Sequence, residues 1–374
     1  MKIKYPIGVQ SFEKLREEGF FYLDKTDMVW NIAQMTICFL CRPRRFGKSL
    51  LISTLDAYFR GKKHLFEGLK IMDKENVWEE YPVFRIDFAN INFKKAEELS
   101  AYLEDQVASW ERQYDVPVQF QNLGKRFETV LQQAHLKTGK RCVVLIDEYD
   151  KPLLDVLNEP MEEENRSTLK SFYGTFKAAD EHLRFVLLTG VTKFSQVSVF
   201  SGFNQPYDLS MDPNFDTVCG VSEEELFTSF AEPIRELAKV YDEDEDGMRQ
   251  WLKRQYDGYH FSKRMTDVYN PFSLINCFQQ QDVQNFWFKS GTPEYLIKLV
   301  GGSHLNIQQA LQESYRPEDF SAYRADVQQP IPMLYQSGYL TISQANQRTN
   351  SYKLDFPNQE VREGFLDLLA LSGR

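Results

Sequence analysis

Short apolar runs alternate with stretches of helix-spaced apolar residues along the first half of the chain. Four of these runs predict β-strands, namely 36–41 (TICFLC), 81–88 (YPVFRIDF), 141–150 (RCVVLIDEYD) and 183–190 (LRFVLLTG). The third run is continuously apolar from Val143 to Ile146, which is typical of a strand covered on both faces.

The segments between these runs have apolar residues three and four positions apart, which predicts helices. The first helix begins near Leu50, and the others span 94–114, 124–136 and 164–179. Strands that alternate with helices predict an α/β fold, in which a parallel sheet has helices on both faces.

From about residue 220 the pattern becomes mostly helical. Ser222 and Glu225 match a capping box, and apolar residues continue the helix to Leu237. The segment 331–357 predicts a helix followed by two short strands, which is the order of a winged-helix module. We therefore predict a sheet-containing core at 1–220, a helical lid region at 221–325 and a winged-helix-like region at 326–374.

The composition is that of a globular protein, with 42% hydrophobic and 14% aromatic residues among 374. The net charge of -10 argues against a surface that coats nucleic acid. The chain start has no signal-peptide pattern, and no uncharged apolar run reaches about 18 residues, so we expect a cytoplasmic protein without a membrane span. Cys38 and Cys41 would point to opposite faces of a strand, which favours buried thiols over a metal site.

The octet 42–49 (RPRRFGKS), here called the phosphate loop, lies between a predicted strand and a predicted helix. This is the context of a Walker A motif: Gly47 lets the backbone approach phosphates, Lys48 contacts the β- and γ-phosphates, and Ser49 offers a hydroxyl to Mg²⁺. Arg42 stands where the motif has its first glycine. The predicted nucleotide-binding residues are Arg42, Pro43, Arg44, Arg45, Phe46, Gly47, Lys48, Ser49 and Leu50. Alternatively, Gly47 only closes a turn and Lys48 is merely exposed.

The strand at 141–150 ends in two adjacent acids, as in a Walker B motif. Asp147 is the predicted Mg²⁺ ligand, and Glu148 would polarise the water that attacks the γ-phosphate. Acids that simply face solvent after a strand are the alternative. The two motifs occur in the right order, each at the carboxyl end of a strand, and together predict that the chain binds ATP and Mg²⁺.

The acid pair Asp147 and Glu148, and the predicted strand at 81–88 that falls between the two motif strands, favour an ATPase over a GTPase. The fourth strand ends at Thr189, which would lie beside the γ-phosphate if the sheet is ordered as in such ATPases. The predicted catalytic residues are thus Glu148, Lys48 and Thr189. A strand-terminal threonine without a ligand is the alternative for Thr189.

Several segments resemble the bacterial AAA-ATPase-like family, whose members are often fused to a C-terminal PD-(D/E)XK nuclease. They are 21–26 (FYLDKT), 42–49 (RPRRFGKS), 146–152 (IDEYDKP), 189–195 (TGVTKFS), 256–261 (YDGYHF), 269–273 (YNPFS), 290–293 (SGTP), 338–341 (GYLT) and 356–358 (FPN). The resemblance implies an ATP-binding core, a helical lid and a winged-helix-like region. It also implies that residues 21–26 lie near the adenine.

The nuclease part of such proteins would follow residue 358. Only Gln359 to Arg374 remain here, which leaves no room for that fold. The sequence is therefore either a short member of such a family or a truncated one, and we expect no nucleic-acid cleavage by these residues.

Three functions remain open at this point. The first is an ATP hydrolase whose lid moves to regulate a nucleic-acid or protein partner, and the second is an ATP-dependent switch with negligible hydrolysis. The third is a DNA reader, because Lys253, Arg254, Lys263 and Arg264 interleave with aromatic residues. An arginine finger and the state of any homo-oligomer cannot be read from one sequence, since a finger is defined by its reach to the γ-phosphate.

Overall fold

The computed structural model describes residues 3–193, 206–291, 296–297, 306–320 and 330–371. Its main element is a five-stranded sheet in the order β2-β3-β4-β1-β5, in which every adjacent pair is parallel. The strands are β1 (Ile37–Cys41), β2 (Val83–Asp87), β3 (Cys142–Asp147), β4 (Leu183–Gly190) and β5 (Tyr207–Asp208). The four predicted strands are confirmed, and β5 adds a short edge strand.

The order of the strands brings the two motifs to one edge of the sheet. β4 lies between β1 and β3, with Leu40 paired to Thr189 and Ile146 paired to Leu188. All six residues of β3 are buried, as its continuous apolar sequence predicts. Because the strands are parallel, the turns that follow β1, β3 and β4 meet at their carboxyl ends.

Helices flank this sheet, as predicted for an α/β fold. They are α1 (Phe12–Glu17), α2 (Thr26–Ala33), α3 (Lys48–Phe59), α4 (Ala96–Tyr114), α5 (Leu123–Thr138), α6 (Lys151–Leu154), α7 (Met161–Tyr173) and α8 (Thr175–Ala178). Short 3-10 turns occur at Lys63–Phe66, Lys70–Asp73 and Asp180–His182. The helix predicted at 164–179 starts three residues earlier and is divided at Gly174.

Helices dominate the described residues after β5. They are α9 (Glu223–Ser229), α10 (Ala231–Val240), α11 (Glu245–Tyr256), α12 (Pro271–Gln280), α13 (Phe286–Lys289) and α14 (Ile307–Gln312). Short 3-10 turns span Leu209–Met211, Pro213–Phe215 and Pro317–Phe320. A two-stranded antiparallel ladder of β6 (Val221–Ser222) and β7 (Val268–Tyr269) ties the start of this region to its middle.

The capping box predicted at the start of α9 is confirmed. The Ser222 hydroxyl accepts from the Glu225 N–H, and the Glu225 carboxylate accepts from the Ser222 N–H. The helix does not continue to Leu237 as predicted, because it is interrupted at Phe230. Pro233 explains the interruption, since a proline fits the first turn of a new helix but not a helix interior.

The chain ends with α15 (Ile331–Gln336), β8 (Thr341–Asn346), β9 (Ser351–Asp355) and α16 (Gln359–Leu371). β8 and β9 form an antiparallel hairpin, so the predicted order of a helix and two strands is found. The assignment to a winged-helix module stays a prediction. Leu334, Tyr339 and Phe365 share one hydrophobic core with the sheet, whereas the apolar residues of α9 to α12 form a second core. The two predicted boundaries, after residues 220 and 325, stay predictions too.

All five cysteines are buried, as predicted for Cys38 and Cys41, and none forms a disulfide. In the part of the chain that the structure describes, no helix has both the length and the apolar character needed to cross a membrane.

Candidate functional site

The phosphate loop connects β1 to α3 and takes an unusual backbone shape. Gly47 has φ 94°, and a Cβ added there would meet nothing within 4 Å. Arg45 also has a left-handed φ, 67°, which is strained for a residue with a side chain and costs about 1–3 kcal/mol. Surrounding contacts must therefore hold the loop in this shape.

The loop presents a series of unused backbone donors. Among the described residues, none of the N–H groups of residues 44–50 donates to an acceptor, and the first such bond of the helix runs from the Leu51 N–H to the Gly47 carbonyl. These donors lie at the amino end of α3, a helix of 12 residues whose dipole favours negative charge. The geometry suits an anion such as a phosphate.

Lys48 is folded back onto the loop. Its ammonium donates to the carbonyls of Arg42 and Pro43, both at 2.9 Å, and the residue is 6% exposed. The Ser49 hydroxyl makes no hydrogen bond within the described residues. The Leu50 side chain packs against an apolar cluster around Phe12, so only its backbone faces the loop.

The buried Arg42 side chain links the phosphate loop to neighbouring backbone. Its guanidinium donates to the carbonyls of Cys41, Ser210 and Phe215 at 2.8–2.9 Å and lies 4.0 Å from the centre of the Phe261 ring. The side chain is almost fully buried. Its guanidinium therefore fastens the loop to the segment that follows β5, and the predicted contact of Arg42 with a nucleotide stays a prediction.

The other two arginines of the loop are exposed. Arg45 lies over the Phe272 ring at 5.4 Å. Arg44 lies near enough to Glu148 for its charge to lower the pKa of that carboxyl. The role of both in binding phosphate stays a prediction.

Asp147 lies at the end of β3 and is 1% exposed. Its Oδ1 accepts from the Thr189 hydroxyl at 2.7 Å and from the Glu148 N–H at 3.0 Å. Its Oδ2 is buried and has no hydrogen-bond partner among the described residues. A buried carboxylate oxygen without a partner is costly, and this one is available to a ligand.

Glu148 follows directly and has a left-handed φ of 52°. Burial raises the pKa of its carboxyl, and the charges of Asp147 and Asp150 raise it further, whereas Lys48 and Arg44 oppose the shift. No hydrogen bond to this carboxyl occurs within the described residues. The group is thus held in a poorly solvated position and is free to accept a proton.

Thr189 lies near the end of β4, within hydrogen-bond distance of Asp147. Its hydroxyl donates to Asp147 Oδ1, and its carbonyl accepts from the Tyr149 N–H at 3.0 Å. The structure therefore brings Thr189 together with Asp147. Its contact with a γ-phosphate stays a prediction.

Asp150 is an important residue that the sequence patterns did not single out. Its Oδ2 accepts from the Val191 N–H and from both the N–H and the hydroxyl of Thr192, at 2.7–3.1 Å. A Cβ on Gly190 would lie 2.6 Å from Asp150 Oδ1, so this approach requires glycine. Burial raises the pKa of Asp150, and the Thr192 hydrogen bonds oppose that shift. The segment IDEYDKP contained the residue, but its partners lie about 40 positions away.

Lys193 ties the end of β4 to two other elements. Its ammonium pairs with Asp208 at 2.6 Å, and its backbone N–H donates to the Gln336 side chain at 2.9 Å. Residues 194 and 195 of the predicted TGVTKFS segment lie outside the described residues. Lys193 thus connects the site to β5 and to α15.

The oxygen atoms at the site fit a magnesium ion. The described residues contain no cluster of three or more His, Cys, Asp or Glu that would form a cage for a metal. Asp147 Oδ2 is buried without a partner among the described residues, and the Ser49 hydroxyl accepts or donates no hydrogen bond there. Mg²⁺ typically uses one or two such oxygens together with substrate phosphates and water.

The polar side chains of 21–26 are occupied within the protein. The Asp24 carboxylate accepts from Thr26 and from the Lys70 N–H, and Lys25 pairs with both oxygens of Glu225 at 2.5–2.6 Å. These contacts fix the segment against α2 and α9. A contribution of this segment near the adenine stays a prediction.

Several of the basic and aromatic residues around 253–264 are engaged in contacts within the protein. Tyr256 and Tyr259 are buried and cannot stack on bases. Lys253 pairs with Glu223 and Asp267, and the His260 ring contacts Asp267 at 2.7 Å. The core thus takes up the two tyrosines and acids pair with Lys253, whereas Arg254, Lys263 and Arg264 are exposed, so DNA binding at this place stays a prediction.

Comparison with known proteins agrees with the resemblance drawn from the motifs. A family model described as Predicted AAA-ATPase matches residues 6–200. A protein of Azotobacter chroococcum mcd 1, described as an uncharacterized protein in the vnfD 5′ region, is 36% identical over 374 residues. That alignment covers 98% of this chain and 70% of the relative.

Proposed function

The chain belongs to the predicted AAA-ATPase family, and from this premise we propose that it binds Mg²⁺-ATP and hydrolyses the bond between the β- and γ-phosphates. The observation that carries the proposal is that two sets of groups without hydrogen-bond partners among the described residues lie at the same edge of the sheet. They are the free N–H groups of the phosphate loop and the buried, unpartnered Oδ2 of Asp147.

Binding of the phosphates is assigned to the loop and Lys48. The free N–H groups would donate to phosphate oxygens, and the Lys48 ammonium would exchange its two loop carbonyls for the β- and γ-phosphates. An ammonium on phosphate forms a charge-assisted hydrogen bond, which is stronger than the bonds it replaces.

Asp147 and the Ser49 hydroxyl are the residues that would hold Mg²⁺. The bound ion would neutralise charge on the β- and γ-phosphates. Thr189 keeps Asp147 Oδ1 in a fixed hydrogen bond and so leaves Oδ2 directed to its ligand. Thr189 is then a positioning residue for the carboxylate.

Glu148 is the proposed general base. It would take a proton from the water that attacks the γ-phosphorus, while the bond to the β–γ bridging oxygen breaks and ADP leaves with that oxygen. Its raised pKa makes the carboxylate a stronger base than an exposed glutamate, which suits this step.

We further propose that the nucleotide state changes the position of the helical lid and C-terminal region and thereby regulates a protein or nucleic-acid partner. The support is the set of contacts between this region and the site, including the Lys193 N–H on Gln336 and the Phe261 ring on Arg42. An element that contacts the phosphate site in this way can respond to its ligand.

Calorimetric titration of Mg²⁺-ATP tests the binding. We expect saturable binding that Lys48→Ala weakens by roughly 10- to 100-fold or more, as loss of a charged contact to phosphate implies. Lys125→Ala, which removes an exposed lysine that pairs with Glu128, is the control and should bind as the parent does. Absence of binding by the folded parent protein would refute the proposal.

Phosphate release separates hydrolysis from the alternative of an ATP-dependent switch. If Glu148 is the base, Glu148→Gln should reduce turnover by about 10² to 10⁴-fold and keep ATP binding. If the parent binds ATP and releases no phosphate above the Glu148→Gln background, the chain acts as a binding switch.

A further inference from the structure

The phosphate loop is contacted from outside by a helix that lies far along the chain. The indole N–H of Trp287, in α13, donates to the carbonyl of Arg44 at 2.8 Å. Trp287 is 5% exposed and Arg44 is exposed, so this bond is partly buried. No sequence motif predicts it.

The bond fixes the direction of a backbone donor in the loop. The Arg44 carbonyl and the Arg45 N–H belong to one planar trans peptide and therefore point in opposite directions. With the carbonyl bound to Trp287, the Arg45 N–H is directed away from α13. That N–H has no acceptor among the described residues, and it belongs to the series of free donors described above.

Trp287 itself is held rigidly. Its backbone N–H donates to Glu360 Oε1 at 2.7 Å, and Glu360 Oε2 accepts from the Ser273 hydroxyl at 2.8 Å. Its ring packs against Tyr339 with 5.1 Å between centroids. The indole is thus a fixed donor, supported by α12, by α16 and by the turn before β8.

The neighbouring loop residues are held by the same part of the molecule. A Cβ on Gly338 would lie 2.6 Å from the Pro43 ring, which shows how closely the two approach. The buried Phe46 ring contacts Tyr259 edge-on, with 4.8 Å between centroids. The contact with Trp287 therefore completes a continuous support around the strained Arg45.

We propose that Trp287 is a positioning residue of the phosphate site, which holds the loop with its N–H groups directed to the phosphates of ATP. The inference rests on the proposed ATP binding and deepens it. It makes the region after residue 260 part of the nucleotide site. It also gives the C-terminal region a direct route by which its own position sets the affinity for ATP.

Trp287→Phe tests this, since phenylalanine keeps an aromatic ring against Tyr339 and lacks the N–H donor. We expect Mg²⁺-ATP to bind about two- to fifteenfold more weakly in calorimetry, as loss of one ordering hydrogen bond implies. Trp251→Phe is the matched control, because Trp251 packs on Tyr241 in the lid helices and should leave the affinity unchanged.

A second measurement on the parent protein removes dependence on the folding of the variant. The five tryptophan indole N–H groups give separate ¹H–¹⁵N resonances, and Mg²⁺-ATP should shift that of Trp287 and leave that of Trp251 in place. A merely structural role for Trp287 predicts no such selective shift.

The outcomes separate this inference from the proposed function. If the parent protein binds no ATP, the proposed function fails first. If the parent binds ATP while folded Trp287→Phe binds it equally well, or if the Trp287 resonance stays unshifted at saturating ATP, the positioning role is refuted and the ATP site stands.

Discussion

The phosphate loop after β1 and the acidic turn after β3, residues 147–150, lie at one edge of the sheet and are supported from different parts of the chain. Asp147 and Asp150 take their hydrogen bonds mainly from the end of β4, through Thr189, Val191 and Thr192. The acidic turn is thus fixed by the adjacent strand of its own sheet.

The phosphate loop depends on residues far away in sequence. Its carbonyl at Arg44 is bound by Trp287, its Phe46 ring lies on Tyr259, and its Arg42 guanidinium is bound by the carbonyls of Ser210 and Phe215. The contrast teaches that the sheet alone can place the acids, whereas the loop needs the C-terminal half. Changes in that half should then alter ATP binding more than they alter the acidic turn.

The largest expected effect follows from a substitution that removes a buried contact of the phosphate loop. Phe46→Ala removes a ring that is 1% exposed and packed on Tyr259 and Phe261, so we expect the free energy of unfolding to fall by about 3–5 kcal/mol. Denaturant titration measures it. Phe120→Ala, at a ring that is 40% exposed, is the control, and equal losses in both variants would show that Phe46 does not anchor the loop.

The next effect concerns the acidic turn. Asp150→Ala leaves the Val191 N–H and both Thr192 donors without their acceptor, which should lower the free energy of unfolding by about 2–3 kcal/mol. Asp150→Asn keeps one acceptor oxygen and should lose less. Amide exchange at Thr192 should accelerate in the alanine variant, and unchanged exchange would contradict the support of the turn by β4.

A pH-dependent effect tests the support behind Trp287. Burial raises the pKa of Glu360 to about 7, and its bonds to Ser273, Trp287 and Phe288 and the charge of Lys289 oppose the shift. The folded protein then keeps a proton that the unfolded chain releases near pH 4.3, so this group makes stability fall as pH rises from about 4 to 7, by about 4 kcal/mol. Below about pH 4 the contribution of Glu360 to the free energy of unfolding is complete, and above about pH 7 it decreases no further.

Glu360→Gln should therefore show a shallower decline in unfolding free energy between pH 5 and about 7.5. Glu363→Gln, at an exposed residue of the same helix, should retain the parent slope. Asp257, whose pKa burial also raises to about 7, keeps part of the slope in both variants. Parallel pH profiles of parent and Glu360→Gln would show that Glu360 is ionised throughout.

The smallest expected effect distinguishes the acidic turn, which should govern turnover, from the phosphate loop, which should govern ATP affinity. Thr189→Val deletes the hydroxyl that donates to Asp147 Oδ1 at nearly constant volume, and we expect turnover to fall about tenfold while ATP affinity changes less than about threefold. Trp287→Phe should show the reverse, with affinity more affected than turnover. Thr189→Ser keeps the donor and is the control. A large loss of affinity in Thr189→Val would mean that the acidic turn also shapes the phosphate loop.

Much of the fold was predictable because its elements bury continuous apolar runs. The strand at 183–190 has the predicted bounds, since a central strand needs apolar residues on both faces. β5 was not predicted, because two partly exposed residues leave no apolar pattern. The interruption of the helix at Phe230 was not predicted. Pro233 is the residue that indicates it, but the regular apolar spacing on both sides favoured one continuous helix.

The sequence by itself determined the α/β class, the phosphate loop and the acid pair at 147–148, because each depends on neighbouring residues along the chain. Only the tertiary structure decided that Arg42 supports the loop from beneath, that Asp150 holds the end of β4 and that Trp287 fixes the Arg44 peptide. These roles come from hydrogen bonds between residues about 40 to 243 positions apart, whose distance and direction no local pattern encodes.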